Sequence, residues 1–279
     1  MPSSVRAPIA QAIAFIGGGN MASAILGGLL REGLPAAQVD VVEPFDGARQ
    51  QLLQRFGVQA QPSAGPSLQR ASIVVWAVKP QAFKDAALAV SPFTGAALHL
   101  SVAAGIRSDS IARWAGTERI VRSMPNTPAL VGQGMTALFA RPAVSAADRS
   151  LVEQVLAPTG ATLWVDAERQ LDAVTALSGS GPAYVFYFIE AMVQAGTAMG
   201  LPADKALQLA IGTFAGASEL ARTAGEPPEV LRERVTSKGG TTHAALTSMR
   251  DAGVAEAFVR AMQAAERRAA ELGDEFGAG

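Results

Sequence analysis

Short apolar runs alternate with helical patterns through the first half of the chain. Runs rich in β-branched residues and bounded by turn residues predict six strands, at Ala12–Ile16, Val39–Val42, Ile73–Val78, Leu98–Val102, Ile120–Met124 and Ala161–Val165. Thr136–Phe139 predicts a further strand at the sheet edge, and Ser145–Leu156 predicts a helix that begins with a serine cap. This alternation is typical of an α/β fold in which helices cover both faces of a doubly wound parallel sheet.

After Asp166 the strand pattern ends, and the chain reads as helices separated by glycine and proline. The helical patterns cover Glu168–Leu177, Pro182–Met199, Ala203–Thr223, Pro228–Val235, Thr242–Ala252 and Val254–Leu272. The sequence therefore predicts an N-terminal Rossmann-type domain at residues 1–166 and an all-α domain at residues 167–279.

The segment Ala203–Thr223 has apolar residues around most of its helical wheel. They are Leu207, Leu209, Ala210, Ile211, Phe214, Ala217 and Leu220. A helix of this kind needs burial on several sides, and the predicted all-α domain is small. We therefore expect it to pair with the same domain of a second copy through a two-fold interface. The alternative is a central helix in a compact monomeric bundle.

Composition narrows the classes of function. The formal net charge is −1, from 23 basic and 24 acidic residues, and no basic stripe is present, so neither nucleic acid nor an anionic membrane surface is an expected partner. The chain has no cysteine, which excludes disulfides, thiolate nucleophiles and zinc–sulfur sites. Its two histidines, His99 and His243, show neither metal-ligand spacing nor a catalytic triad pattern. We therefore expect no metal site.

Two features bear on location. The segment Met1–Gln11 has one arginine and two prolines and lacks the long apolar core of a signal peptide. The apolar stretch Ala183–Ile189 stops at Glu190, well short of the roughly 18 to 20 residues that a membrane span needs. The sequence predicts a cytoplasmic protein.

The first strand runs directly into a glycine turn and then a helical pattern. The turn reads Gly17-x-Gly19-x-x-Ala22, and its consecutive residues are Gly17, Gly18, Gly19, Asn20, Met21 and Ala22. In a dinucleotide-binding fingerprint the first glycine makes the tight turn, the second admits the pyrophosphate, and the small third residue lets helix and strand pack closely. The motif predicts an NAD(P) site, the alternative being an ordinary tight β–α turn.

The residues after the second strand bear on the choice of nucleotide. Glu43 and Pro44 follow that strand, and Glu43 lies 26 residues beyond Gly17, where an acidic side chain can hydrogen-bond the ribose hydroxyls of NAD. Such a carboxylate would repel a 2′-phosphate. Arg49 lies close to Glu43 in the sequence, and an arginine can accept the 2′-phosphate of NADP. The choice between NADH and NADPH therefore stays open, with a preference for NADH.

Two later loops complete the predicted cofactor site. Ala77, Val78, Lys79 and Pro80 follow the third predicted strand, where the proline can occupy the first helical turn. For Lys79 the alternative to a role in cofactor binding is an ordinary charged side chain exposed to solvent. Ala103, Ala104 and Gly105 follow the next strand, and their small side chains would let a flat ring or a ribose lie against the main chain.

The loop Ser123–Pro128 and the segment Val235–Thr242 are candidates for the substrate site. Two prolines fix the backbone of the first around Asn126, with a capped structural turn as the alternative. In the second, Gly239 and Gly240 precede two threonines at a predicted helix start. That pattern predicts a concave set of N–H donors suited to a carboxylate. A plain helix cap explains the threonines but leaves the glycine pair less well explained.

Taken together, these motifs closely resemble the pyrroline-5-carboxylate reductase family. The matching segments, in the family's order, are Gly17–Ala22, Ala77–Gln81, Ser101–Ile106, Arg122–Gly134, Ala176–Tyr184 and Val235–Thr242. The resemblance implies hydride transfer from NADPH or NADH to the C=N carbon of 1-pyrroline-5-carboxylate, which gives L-proline. It also implies interlocked helical domains in a dimer, and dimers that often assemble into a larger, decamer-like ring.

The resemblance assigns roles to particular residues. Cofactor would be held by Gly17–Met21, Ala77–Pro80 and Ala103–Gly105. Substrate would be surrounded by Glu168, Thr175, Ser237, Gly239, Gly240, Thr241 and Thr242. The Thr242 hydroxyl would lie near the imine nitrogen, where it orients the proton or relays it from water. Most of the acceleration should come from holding nicotinamide and imine face to face.

Three positions depart from the family pattern. Lys238 stands where proline is usual, Arg234 stands where a smaller amide is usual, and Ala64 or Gly65 lies where an asparagine often touches ribose. The first two predict added positive charge beside the carboxylate site, which suits stronger anion binding or a larger cyclic imino acid.

Two rival functions remain. A β-hydroxyacid dehydrogenase would need a lysine on an interdomain helix, and no lysine fits, since Lys205 lies too early in its helix. A paralogue that senses NAD(P) without turnover is the other rival, and Lys238 would be its clue.

Overall fold

The structure, a computed structural model, describes residues 9–277. Its strands are β1 Ala12–Ile16, β2 Val39–Val42, β3 Ala71–Trp76, β4 Leu98–Ser101, β5 Ile120–Met124, β6 Gly134–Ala140 and β7 Gly160–Trp164. Its helices are α1 Asn20–Arg31, α2 Asp46–Phe56, α3 Pro80–Thr94, α4 Ser108–Ala115, α5 Ala146–Leu156, α6 Gln170–Val174, α7 Gly181–Ala198, α8 Ala203–Ala224, α9 Pro228–Arg234, α10 Thr241–Asp251 and α11 Val254–Gly277. The six predicted strands are confirmed to within two residues at either end.

The seven strands form one sheet in the order β2-β1-β3-β4-β5-β6-β7. Strands β1 to β5 are parallel, β6 is antiparallel to β5, and β7 is parallel to β6. The prediction that Thr136–Phe139 forms a strand is confirmed, but its place at the edge is wrong, because β7 lies outside β6. Leu138 and Thr136 are buried in the structure. The four-residue run Thr136–Phe139 is too short to indicate from the sequence whether another strand pairs with its outer side.

Side chains of β1 alternate between two apolar cores, one on each face of the sheet. Ile13 and Phe15 pack in a core that includes residues of α1, α2 and α5. Ala14 and Ile16 pack in a second core with residues of α3 and α4. A strand buried on both faces reads as a continuous apolar run, as this one does. The predicted doubly wound fold is thereby confirmed.

The serine cap predicted at the start of α5 is present. The Asp148 backbone N–H donates to Ser145 Oγ at 3.1 Å, and the Ser145 N–H donates to Asp148 Oδ2 at 3.0 Å. This reciprocal pair satisfies two amides that the helix cannot bond internally. The cap therefore fixes the first residue of α5 as the sequence predicted.

The described chain divides into two compact units, residues 9–179 with 265–277 and residues 180–264. Helix α11 begins in the second unit and ends in the first. The predicted division into domains at 1–166 and 167–279 rests on where the strand pattern ends in the sequence rather than on compactness, and it stays a prediction.

In the second unit α7 and α8 pack closely. A Cβ on Gly196 would lie 3.0 Å from the Ala206 Cβ, which shows how near the two backbones come. Phe258 of α11 meets the rings of Tyr184 and Phe188 in edge-to-face contacts at 5.6 and 5.8 Å. The apolar face of α8 is uncovered in a single chain, since only Ala206 and Ala210 of this helix are buried.

The helices predicted after Asp166 are present with one change. The predicted helix Glu168–Leu177 is instead the short helix α6 followed by a π-helical turn at Thr175–Gly179. Within residues 9–277 no helix has both the length and the apolar character needed to cross a membrane. Most of the segment Met1–Gln11, on which the predicted location partly rests, lies outside the described residues.

Candidate active site

The glycine turn joins β1 to α1 at the carboxyl edge of the parallel strands. Gly17 has φ of +94°, and a Cβ there would lie 2.6 Å from the Ala77 carbonyl oxygen, so only glycine fits. A Cβ on Gly19 would meet no atom of residues 9–277 within 4 Å, so these residues leave the space above the turn open. Gly19 is the N-cap of α1, no side chain of residues 9–277 caps this helix, and Ala22 is buried against the sheet.

Glu43 lies at the end of β2, where the sequence places it, but its carboxylate turns inward. The Gly18 N–H donates to Glu43 Oε2 at 2.8 Å, and the Phe45 N–H donates to Oε1 at 2.9 Å. The residue is only 6% exposed. Glu43 therefore fixes the glycine turn. Both of its carboxylate oxygens already accept a backbone amide, so the expected preference for NADH gains no support from the structure and stays a prediction.

Pro44 and Arg49 lie beside it. Pro44 is exposed, and the Arg49 guanidinium donates to the carbonyl oxygens of Glu43 and Pro44 at 2.9 and 2.7 Å. Arg49 also forms an ion pair with Asp46 at 3.0 Å. These bonds hold a positive charge at the end of β2.

The segment Ala77–Pro80 lies across the turn from Gly17. Ala77 N–H donates to the Ile16 carbonyl at 2.8 Å, and Pro80 occupies the first position of α3, as predicted. Val78 is half-buried, and Lys79 is exposed. Because β1 and β3 are neighbours whose connections leave in opposite directions, the Gly17 turn and this segment lie at the topological switch point, where doubly wound sheets bind ligands.

The loop between β4 and α4 contains the third predicted cofactor segment. Ala103 is buried, Ala104 is exposed, and Gly105 has φ of +74°. The loop ends at Ser108, whose N–H and Oγ donate to Glu168 at 2.6 and 2.7 Å. Glu168 therefore caps α4 from 60 residues away.

Glu168 also binds a buried cation. Arg122 Nη1 donates to Glu168 Oε1 at 2.6 Å, and Arg122 Nε has no partner among the described residues. Burial alone would raise the Glu168 pKa, but attraction to Arg122 and the bonds from Ser108 outweigh it, so the pKa is lowered. Burial lowers the Arg122 pKa, opposed by Glu168. Glu168 was predicted to surround the substrate. In the structure its carboxylate instead bonds to Ser108 and Arg122.

Thr175 opens the π-helical turn, and its hydroxyl donates to the Leu171 carbonyl at 2.7 Å. This turn is tied to the loop that follows β5. Asn126 Nδ2 donates to the Ser178 carbonyl at 3.2 Å, and the Met135 N–H donates to Asn126 Oδ1 at 3.0 Å. Asn126 therefore links two segments and does not cap its own turn. Single π turns inside helices often mark functional sites.

In the second unit, the segment Ser237–Thr242 forms the start of α10. Gly239 has φ of +75°, and the Gly240 N–H donates to the Ser237 carbonyl at 3.0 Å. A Cβ on Gly240 would lie 2.6 Å from Ser237 Oγ. Gly240 is the N-cap, and no side chain in the described part of the protein caps the helix.

Consequently the amides at positions 241–243 and the Thr242 hydroxyl have no bonding partner within residues 9–277. Free N–H groups at a helix start attract an anion. The plain helix cap, considered as an alternative for the two threonines, is not what the structure contains.

The two unusual cations near this segment differ in their partners. Arg234 forms an ion pair with Glu226, through Nη1 to Oε2 and through Nη2 to Oε1, the latter at 2.7 Å. Lys238 is exposed and has no ion-pair partner among the described residues. The expectation that both residues add positive charge beside the predicted carboxylate site is therefore wrong for Arg234, because Glu226 neutralises its charge.

The residues present fit a dinucleotide. The turn is too tight for any residue but glycine at position 17. Among the residues that the structure describes, none fills the space over Gly19 and no side chain caps the first amides of α1. Sequence reasoning missed Arg107, Ser108, Arg122 and Asp172. Arg122 was detectable, since a charge inside the apolar strand Ile120–Met124 is unusual. The partners of the other three are 60 or more residues away and leave no local signal.

The fold and these segments define an oxidoreductase that uses a nicotinamide dinucleotide. Residues 12–105 match the family described as NADP oxidoreductase, coenzyme F420-dependent, and residues 168–272 match pyrroline-5-carboxylate reductase dimerisation. The chain belongs to the pyrroline-5-carboxylate reductase family, and it carries that family's dimerisation domain.

Individual relatives agree. The chain is 43% identical over 267 residues to pyrroline-5-carboxylate reductase of Pseudomonas aeruginosa, covering 95% of this chain and 98% of that one. It is 38% identical to the Glycine max enzyme, with 93% and 95% covered.

Solved structures are similar as well. A pyrroline-5-carboxylate reductase from Coxiella burnetii has a TM-score of 0.88 at 35% identity, with 94% of this chain and 98% of that one covered. A Plasmodium falciparum pyrroline carboxylate reductase with NADP bound has a TM-score of 0.83 at 26% identity, with 95% and 98% covered.

Proposed function

We propose that the chain reduces the C=N bond of 1-pyrroline-5-carboxylate to give L-proline, with NADPH or NADH as the hydride donor. The observation that carries this is the start of α10, where three backbone amides and the Thr242 hydroxyl have no bonding partner among residues 9–277. This arrangement suits a small substrate that has a carboxylate next to an imine nitrogen.

Binding of the cofactor is assigned to the three loops at the carboxyl edge of the sheet. The amides that open α1 would bind the pyrophosphate, with Gly19 leaving room for it. The segments Ala77–Pro80 and Ala103–Gly105 would lie along the nicotinamide half. When bound, the reduced nicotinamide supplies the hydride that the reaction requires.

The substrate carboxylate would be held by the segment Gly239–Thr242, and Ser237 supports that segment through its carbonyl. A carboxylate bound by backbone amides needs no arginine. The Thr242 hydroxyl would orient the proton on the imine nitrogen, which the product amine keeps. An unperturbed threonine is a poor acid, so its role is hydrogen bonding and orientation rather than proton donation.

Thr175 and Glu168 have smaller roles in this proposal. Both side chains already bond within the protein, Thr175 to Leu171 and Glu168 to Ser108 and Arg122. We therefore propose that they fix the segments to which they bond and do not bond the substrate through those atoms.

Self-association is proposed as a homodimer through α7 and α8, with a decamer-like ring as the larger assembly. Support comes from apolar side chains that one chain exposes, such as Phe186 and Leu209, both 59% exposed.

We propose that the chain divides functionally into a cofactor domain at 1–166 and a dimerisation and substrate domain at 167–279. A cytoplasmic location remains our expectation from the sequence, and cell fractionation tests it.

The deciding experiment adds 1-pyrroline-5-carboxylate to the protein with NADPH or NADH. We expect loss of the reduced nicotinamide absorbance and formation of one L-proline per cofactor consumed. If both cofactors bind but neither is consumed, the protein is a sensor and the proposal is wrong. Turnover only with a larger cyclic imino acid would keep the reaction and change the substrate.

A further inference from the structure

The last turns of α11 pack against the loop that connects β4 to α4. A Cβ added to Gly105 would lie 3.2 Å from the Phe276 ring and 3.4 Å from the Leu272 Cβ. Gly105 has φ of +74°, a conformation that other residues rarely adopt. The C-terminal helix therefore leaves room for no larger residue than glycine at this point of the loop without a shift.

Arg107 makes a second connection between the loop and this helix. Its Nη1 donates to both carboxylate oxygens of Asp172, at 3.0 and 2.8 Å. Its guanidinium lies directly over Gly273, where an added Cβ would come within 2.6 Å of three guanidinium atoms. Nη2 also reaches the Ala270 carbonyl at 3.5 Å. Gly273 is buried, and a Cβ at this position would force the Arg107 guanidinium to move.

A third contact reaches α4. Ser110 Oγ donates to the Gly277 carbonyl at 3.2 Å. The buried residues of α11, Ala269 and Gly273, both lie in this last part of the helix. The family's dimerisation match ends at residue 272, so part of this contact lies beyond it.

We propose that the last turns of α11, Ala269–Gly277, hold the loop 103–107 in the shape that receives the nicotinamide half of the cofactor. Arg107, Gly273 and Phe276 are then positioning residues. The inference rests on the proposed function, because it takes Ala103–Gly105 to be a cofactor segment. It gives the end of a helix from the dimerisation domain a role in hydride transfer.

The loop 103–107 needs such support because of its composition. Ala103, Ala104 and Gly105 have no side chains long enough to fix their own backbone, and glycine loses much conformational freedom when it is ordered. A loop ordered in advance binds its ligand more tightly than one that must be ordered on binding. Bonds made by Arg107 and contacts from α11 therefore supply order that the side chains of Ala103–Gly105 cannot.

The test replaces Gly273 with alanine, which favours a helix more than glycine and displaces Arg107. Asp274→Ala, one residue on and exposed, is the matched control. Calorimetry measures the Kd for NADPH and for 2′,5′-ADP, which lacks the nicotinamide half, and a thermal scan measures Tm. Phe276→Ala is a second variant, used if Gly273→Ala does not fold.

We expect Gly273→Ala to raise the Kd for NADPH about tenfold, which is about 1.4 kcal/mol, and to leave 2′,5′-ADP binding and the control unchanged. Unchanged NADPH affinity overturns the inference. Equal weakening of both ligands also overturns it, since this indicates a general loss of structure. If the unaltered protein does not bind NADPH, the proposed function has failed instead.

Discussion

Glu43 shows how tertiary contacts give a side chain a role that its position in the sequence does not reveal. Its carboxylate accepts from the amides of Gly18 and Phe45, so it holds the glycine turn. Charge-assisted bonds to backbone amides are stronger than neutral ones. The residue therefore acts on the proposed pyrophosphate site through the backbone.

We expect Glu43→Gln to weaken binding of NADH and NADPH alike, by about fivefold, because one amide loses its charged acceptor. Titration of each nucleotide, followed by fluorescence, measures the two affinities. A gain for NADPH with a loss for NADH would instead support direct contact with ribose. Asp46→Asn, at an exposed carboxylate nearby, is the control and should leave both affinities unchanged.

Thr242 carries the proposed orientation of the imine. Thr242→Ala should lower kcat by about tenfold, the effect of one hydrogen bond, with the Kd for cofactor unchanged. Thr242→Ser keeps the hydroxyl and should retain most of the rate. Steady-state kinetics with both variants decide the matter, and normal turnover by the alanine variant would remove the residue from the mechanism.

His99 is completely buried and bonded on both ring nitrogens. Trp76 Nε1 donates to Nδ1 at 3.1 Å, and Nε2 faces the Thr94 carbonyl at 3.2 Å. Burial lowers its pKa from 6.5 to about 4, with a small contribution from Arg119 and opposed by the Thr94 bond. The neutral ring is thus part of the folded state.

Because the folded pKa is the lower one, the unfolded chain takes up a proton first as pH falls. Stability contributed by His99 is complete above pH 6.5 and is lost towards pH 4. Between pH 7 and 5 we expect a loss of about 2 kcal/mol, measured by urea unfolding. His99→Gln, which does not titrate, should lack this slope; an equal slope would show that other groups cause it.

At the scale of elements, α4 depends on a carboxylate from another segment. Glu168 satisfies the first amide and hydroxyl of α4 and neutralises Arg122 in β5. One side chain therefore fixes the relation of a strand, a helix and the segment before α6. Removing one partner of a buried ion pair leaves an uncompensated charge.

We expect Glu168→Gln to lower the free energy of unfolding by about 3 kcal/mol at neutral pH. The lowered pKa of Glu168 means that this contribution exists above the ordinary pKa and disappears as pH falls through the folded value. Urea unfolding at several pH values measures both effects. Glu229→Gln, at an exposed carboxylate in α9, should change stability little; an equal loss there would refute the assignment.

At the scale of the whole molecule, a single chain leaves much apolar surface on α7 and α8. Phe186, Tyr187, Leu209 and Leu220 are each more than half exposed. Monomers rarely expose contiguous apolar surface of this kind. This favours the two-fold pairing predicted from the pattern of Ala203–Thr223 over a monomeric bundle.

We expect the protein to sediment as a dimer or larger, and Leu209→Asp to shift it towards the monomer, because a charge would be buried at the interface. Leu88→Asp, at a leucine of α3 with 52% exposure, is the matched control and should keep the assembly. Sedimentation velocity measures both. An unaltered sedimentation coefficient for Leu209→Asp would place the interface elsewhere.

The sequence by itself determined the strands, the fingerprint turn and the helical second half. Each depends on neighbours in the chain, such as the apolar run Ala12–Ile16 or the glycines at 17 and 19, and so leaves a local pattern. It also determined the family, because several motifs occur together in one order.

Only the tertiary structure decided which partners the polar side chains have. Glu43 bonds to the glycine turn, Glu168 caps α4, and Arg234 is paired with Glu226. The structure also decided that β7, and not β6, is the edge strand of the sheet. Hydrogen bonds and ion pairs act over a few ångströms in space, whatever the separation along the chain. A pattern of neighbouring residues therefore cannot indicate them, whereas the periodicity of a strand or helix can be read residue by residue.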